Sequence, residues 1–118
     1  MTELVALLST GKGTWTEVIR IMGSHEWEKV FLVTNDFGAK TFNKKENMEL
    51  IIVNADESIE LIIDRIQKQL KDRITGTEVA LNLSSGTGKE HMALLSALLK
   101  MGLGIRLVTF SASGLKEI

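Results

Sequence analysis

The residues best equipped for chemistry stand together in Leu81-Asn-Leu-Ser-Ser-Gly-Thr-Gly-Lys-Glu-His-Met92. Ser84 and Ser85 offer hydroxyls, Gly86 and Gly88 let a backbone come close to a ligand, and Lys89 adds a positive charge. The stretch reads as a strand end, a small loop and the first turn of a helix. That is where α/β proteins hold phosphate, because free N–H groups and the helix dipole both favour an anion. A lysine in a first helical turn is opposed by that dipole, so a bound anion explains Lys89 better than a structural role does. A second stretch near the start has a similar design, with Ser9, Thr10, Gly11, Lys12, Gly13 and Thr14 following Leu8. Two such loops in a short chain suggest one site built from two edges.

Neighbouring residues have a functional and an ordinary reading. Thr14 and Thr87 each stand three places before a glutamate, Glu17 and Glu90, which makes them helix caps before they are ligands. Asn82, in an otherwise apolar strand, needs buried partners, and holding the loop would supply them. His91 reads as a general acid or base, or more ordinarily as a packed helix histidine. His25 reads as surface. Trp15 either stacks on a base or covers the sheet edge.

Several nucleotide motifs fail or match only in part. A P-loop needs a glycine where Leu83 stands and Ser or Thr where Glu90 stands. Gly11-Lys-Gly-Thr-Trp-Thr16 is two-thirds of a dinucleotide fingerprint, with Asp36 near the place of the ribose-binding acid. The same loop is similar to a flavin-phosphate loop with one residue inserted.

The elements that must position these residues follow from periodicity. Apolar runs predict strands at Leu4–Leu8, Val30–Val33, Met48–Val53, Val79–Leu83 and Ile105–Phe110. Val18, Ile19 and Met22 predict a helix ending at Gly23. Ile59, Ile62, Ile63, Ile66, Leu70 and Ile74 predict a longer one, capped by Asn54 or Asp56 and broken at Gly76, with Glu60, Asp64, Lys68 and Lys71 on its solvated side. A third runs from Thr87 to about Met101 and closes at Gly102 and Gly104. Asn35-Asp-Phe-Gly38 reads as a turn, 39–47 as undefined, and 111–118 as a short tail.

Strands alternating with helices predict a Rossmann-like three-layer α/β sandwich, with a mainly parallel sheet of five or six strands in the order 3-2-1-4-5. In that order the first and fourth strands are neighbours, and their loops share one crevice. One domain is expected from 118 residues. A net charge of −1 argues against a duplex-DNA binder and leaves room for a small anion. With no cysteine and two histidines, no disulfide framework and no metal site are expected. The start of the chain lacks a signal-peptide pattern and no apolar run approaches a membrane span, so a cytoplasmic protein without membrane attachment is expected.

At its two loops the chain resembles the CRISPR-associated Rossmann-fold (CARF) family. That family faces a Ser/Thr-Gly loop after the first strand with an Asn-x-Ser/Thr-Gly-Gly-Thr-Lys loop after the fourth, matched here by Asn82-Leu-Ser-Ser-Gly-Thr-Gly-Lys89 with Gly88 inserted before the lysine. The helix Met92–Leu99 and the strand Ile105–Phe110 also fit. The resemblance implies a homodimer that binds a cyclic oligoadenylate, most often cyclic tetra-adenylate, a messenger of type III CRISPR defence. Lys12 and Lys89 of two subunits would then set cations against the phosphates of a two-fold ring.

The implied ligand shell is the first loop with Trp15, together with Asn82, Ser84, Ser85, Gly86, Thr87, Gly88 and Lys89. With no effector domain in the chain, the resemblance further implies a ring nuclease needing neither metal nor cofactor. The ribose 2′-hydroxyl attacks the neighbouring phosphate, Lys89 stabilises the developing charge, and Ser84, Ser85 and Thr10 position the substrate. A non-catalytic sensor or sink for the same ring, and a flavin- or nucleotide-binding domain, are the alternatives.

Overall fold

The computed structural model describes residues 2–8, 15–42 and 46–118. Its strands are β1 (Glu3–Leu8), β2 (Lys29–Thr34), β3 (Met48–Ile52), β4 (Glu78–Asn82), β5 (Gly104–Ser111) and β6 (Gly114–Glu117). Its helices are α1 (Trp15–Gly23), α2 (Asp36–Thr41), α3 (Ile59–Leu70) and α4 (Gly88–Lys100). They form one α/β, Rossmann-like unit around a six-stranded sheet in the order β3-β2-β1-β4-β5-β6. All neighbours are parallel except β5 and β6. The predicted order is therefore present, extended by one antiparallel strand. That strand corrects the reading of 111–118 as a tail: Gly114 takes a positive φ of 107° at the turn and the chain folds back on β5.

The sheet is apolar on both faces because its central strands are covered on both. Val5, Leu7, Phe31, Val33, Val79 and Leu81 face α3 and α4, where they meet Ile62, Ile66, Ala93, Leu94 and Leu98. Leu4, Ala6, Leu8, Val30, Leu32 and Ala80 face α1, where they meet Val18 and Ile21. Alternation along each strand sorts these residues to the two faces. A groove of about 500 Å³ beside α1 is lined by Trp15, Ile19, Met22, Phe42 and Met48 among others.

Four helix readings are corrected. The buried face of α1 is Val18 and Ile21, with Ile19 half exposed at 50%. Trp27 Nε1 and Ser24 Oγ both donate to Ile21 O at 2.9 Å, which closes the helix and pulls the chain toward β2. In α3 the cap is Ser58, whose hydroxyl accepts from Leu61 N, rather than Asn54 or Asp56. The helix ends at Leu70 and turns through Asp72 at φ 65°, a conformation aspartate tolerates, so Ile74 packs on the core from outside it. Gly76 is therefore no helix breaker. The buried Glu3 carboxylate accepts from Thr75 N and Gly76 N, and a Cβ on Gly76 would lie 3.3 Å from that carboxylate. Finally, Asn35 caps α2 by accepting from Gly38 N at 2.9 Å, where a plain turn was expected.

At the outer edge of the sheet Gln69 of α3 reaches β3. Its amide donates to Ile52 O at 2.8 Å and accepts from Ile52 N at 2.9 Å.

Candidate functional site

β1 and β4 are hydrogen-bonded neighbours, with Ala6 opposite Asn82. Chain direction switches between them, which makes the carboxyl ends of these two strands the natural ligand crevice of the sheet. The β4 side of that crevice is built from Asn82 upward. Asn82 is buried at the strand end, where its Nδ2 donates to Val108 O of β5 at 2.9 Å and to Ser84 Oγ at 3.0 Å. Its Oδ1 accepts from Ser84 N at 3.2 Å. The side chain thus pins the loop to the neighbouring strand, as a buried amide with no free polar atom should.

The rest of the loop is tied to α4. Thr87 and Glu90 form a reciprocal capping box: Thr87 Oγ1 accepts from Glu90 N, and Glu90 Oε1 accepts from Thr87 N at 2.8 Å. The first-turn amides of Gly88 and Lys89 are the ones this box leaves to outside partners. Among the described residues, and apart from its chain neighbours and the backbone of its own helix, nothing lies within 4 Å of where a Cβ on Gly88 would stand. His91 Nε2 lies 2.9 Å from Ser85 O, and a carbonyl only accepts, so Nε2 carries the proton. The imidazole is thereby held against the loop it follows.

Gly86 is the residue this packing cannot spare. Its φ is 104°, and a Cβ there would stand 3.2 Å from Leu7 Cδ1 and 3.3 Å from His91 Nε2. Gly86→Ala is therefore expected to lower stability by about 1–3 kcal/mol, the range for a strained backbone position, and to push His91 off Ser85 O. Urea unfolding checks the first effect. His91 ring resonances at the wild-type NMR shifts would exclude the second.

Lys89 has partners of its own. Its Nζ donates to Ala55 O at 2.9 Å and Glu57 O at 2.6 Å, so α4 is fastened to the connection that precedes α3. An ammonium has three donors, and the described residues take two of them, which leaves one for a ligand. Glu57 is in turn paired with Arg65 at 2.7 Å. The hydrogen bond from Arg65 holds the Glu57 carboxyl below its usual range.

The other expected ligands divide as follows. Ser84, Ser85, Gly86, Thr87, Gly88 and Lys89 are brought together in one loop and helix start, with Ser85 fully buried. Trp15 opens α1 and packs partly buried on the core beneath that helix. Ser9, Thr10, Gly11, Lys12, Gly13 and Thr14 lie outside the described residues. His25 is exposed and meets the edge of Trp27, with ring centroids 4.7 Å apart.

Sequence reasoning missed Glu17. Its carboxylate Oε2 accepts from Ser84 Oγ across the crevice. The signal was its place in the first turn of the helix after β1, which the strand order sets opposite the β4 loop. Reading it only as the partner of Thr14 in a capping box hid that role.

No protein-family model matches this chain, and no curated protein matches it. No helix among the described residues is long and apolar enough to cross a membrane.

Proposed function

We propose that this protein binds a cyclic oligoadenylate, cyclic tetra-adenylate first among them, in a homodimer and cleaves the ring, switching off type III CRISPR signalling. The observation that carries the reading is the loop Ser84–Thr87, fixed by Asn82 beside β1 at the switch point of the sheet. A loop held this firmly, with hydroxyls, an open-ended helix and Lys89, suits a phosphodiester whose own 2′-hydroxyl is the nucleophile. Such chemistry asks the protein for in-line positioning and for charge stabilisation. In this reading Lys89 keeps its part as the cation on the developing charge, and Ser84 and Thr10 remain the positioning groups, within a CARF-like domain of the cytoplasm; Ser85, fully buried, supports the loop and is not set against the substrate.

The homodimer half draws support from α4. Met92 and Leu99, seven positions apart on one face of that helix, are 65% and 58% exposed, and Leu107 of β5 is 39% exposed. Apolar surface of this kind favours a partner, and a second copy would set two β4 loops on one symmetric ligand.

The test is incubation with cyclic tetra-adenylate in EDTA, with products resolved by chromatography and mass measured by light scattering. Linear di-adenylate ending in a 2′,3′-cyclic phosphate, formed by a dimer, is the expected result. Lys89→Ala should slow the cleavage by about 100-fold if the ammonium meets the transition-state charge. An intact ring that co-elutes with the protein would reduce the reading to a sensor or sink. A ring that neither binds nor breaks would overturn it.

A further inference from the structure

The hydrogen-bond chain at the β4 loop sets the direction of a hydroxyl. The Asn82 amide fits in one orientation only, because Val108 O can only accept and Ser84 N can only donate. Its Nδ2 is then a donor to Ser84 Oγ as well. The single proton of that serine goes to Glu17 Oε2. A hydroxyl has one proton and two lone pairs. Among the described residues the proton and one lone pair of Ser84 are occupied, and what remains for a ligand is the second lone pair. Phosphate oxygens are acceptors and gain nothing from a lone pair. A ligand hydroxyl is a donor and does. Ser84 is thus prepared to receive a hydroxyl, which gives a direction to the positioning role that the sequence alone suggested.

We infer that Ser84 and Glu17 act together as the acceptor of a ligand hydroxyl, with Glu17 as the destination of its proton. The inference rests on the cyclic-oligoadenylate reading, in which that hydroxyl is the attacking ribose 2′-OH. As O2′ bonds to phosphorus, its proton passes to Ser84 Oγ and the serine's own proton passes to Glu17, which becomes a neutral carboxylic acid. The bond from phosphorus to the 5′-oxygen breaks, and that oxygen leaves with the electron pair and takes a proton from water. The hydroxide so formed is neutralised by the proton that Glu17 then releases. Glu17 acts through Ser84 and is a positioning residue that also stores the proton. The same arrangement makes the site selective for ribose, because a 2′-deoxy ring offers Ser84 no donor.

The variant to make is Glu17→Gln, which keeps the size of the side chain and removes its capacity to take a proton. Ring binding should stay within about twofold, while single-turnover cleavage falls about 100-fold, the lower end of general-base contributions. The rate–pH profile should also lose its acid limb, which a structural role for Glu17 would not cause. Ser84→Ala should show the same loss and serves if Glu17→Gln unfolds. Cleavage at the wild-type rate with an unchanged pH profile in either folded variant overturns the inference and leaves the functional reading standing. Wild-type protein that binds the ring without cutting it also overturns the inference. Wild-type protein that neither binds nor cuts it overturns the functional reading itself.

Discussion

Replacing Gly38 with alanine is expected to destabilise the protein by about 2–4 kcal/mol, from overpacking and a lost buried hydrogen bond together. Gly38 lies buried in α2, pressed on the end of β2. An added Cβ would stand 1.9 Å from Thr34 Oγ1 and 3.4 Å from Leu8 O. Thr34 is itself buried, and its hydroxyl donates to Leu8 O at 2.6 Å, joining β2 to the last residue of β1. The methyl can be accommodated only if Thr34 turns its hydroxyl off Leu8 O or if α2 lifts from the sheet. Either response loosens the end of β1 that leads into the first loop. The double variant Gly38→Ala, Thr34→Ala separates the two. Removing Oγ1 relieves the worst contact, so the pair should cost less than the sum of the single changes. Strict additivity in urea unfolding would contradict this account.

Asn82→Asp is expected to cost about 3 kcal/mol or more at neutral pH, as for a buried charge left without a partner. The change is nearly isosteric. It replaces the donor that faces Val108 O with an oxygen, and it sets a second carboxylate on Ser84 opposite Glu17. Burial and the neighbouring carboxylate both disfavour the charged form, so the new carboxyl titrates higher in the folded protein than in the unfolded chain. The folded state then binds the extra proton more tightly, and the penalty is full at neutral pH. It shrinks as pH falls through the raised folded value, because the protonated acid can again donate to Val108 O. Unfolding free energies of variant and wild type, measured at neutral and at acid pH, should converge toward acid. A difference that stays constant with pH would mean that the loop does not bury this group.

Much of the frame was legible because it rests on local pattern. The runs at Leu4–Leu8 and Val30–Val33 are apolar without alternation, and only a strand covered on both faces needs that. From the alternation of strands and helices the order of the first five strands followed, and with it the place of the crevice. The cap at Thr87 was equally legible, since both halves of its box lie within one turn. The failures have physical causes. Asn35-Asp-Phe-Gly38 suits a turn and a helix cap alike, and a helix of six residues shows no periodic stripe to decide between them. β6 is four residues long, and Leu115 is its only apolar member. Ile19 follows helical spacing, but Ile21 follows it too, three places after Val18, and the sheet took the face that carries Val18 and Ile21 and left Ile19 half exposed. The link from Glu17 to Ser84 spans 67 residues, and no local pattern announces such a contact.

The Gln69 amide on β3 has a consequence for how this chain meets others. In the parallel pairing with β2, alternate residues of β3 turn their N–H and C=O away from the sheet, and Ile52 is the last of them. A side-chain amide carries the same donor and acceptor as a peptide unit. By offering both to Ile52, Gln69 stands where the next strand would begin, and α3 closes the edge with one of its own residues. A free strand edge is a template for unintended pairing between molecules, and nature commonly blocks it with charge, proline or a bulge. Here the block is a mimic of the missing neighbour. The C-terminal end of β3 is thereby taken out of competition for foreign strands.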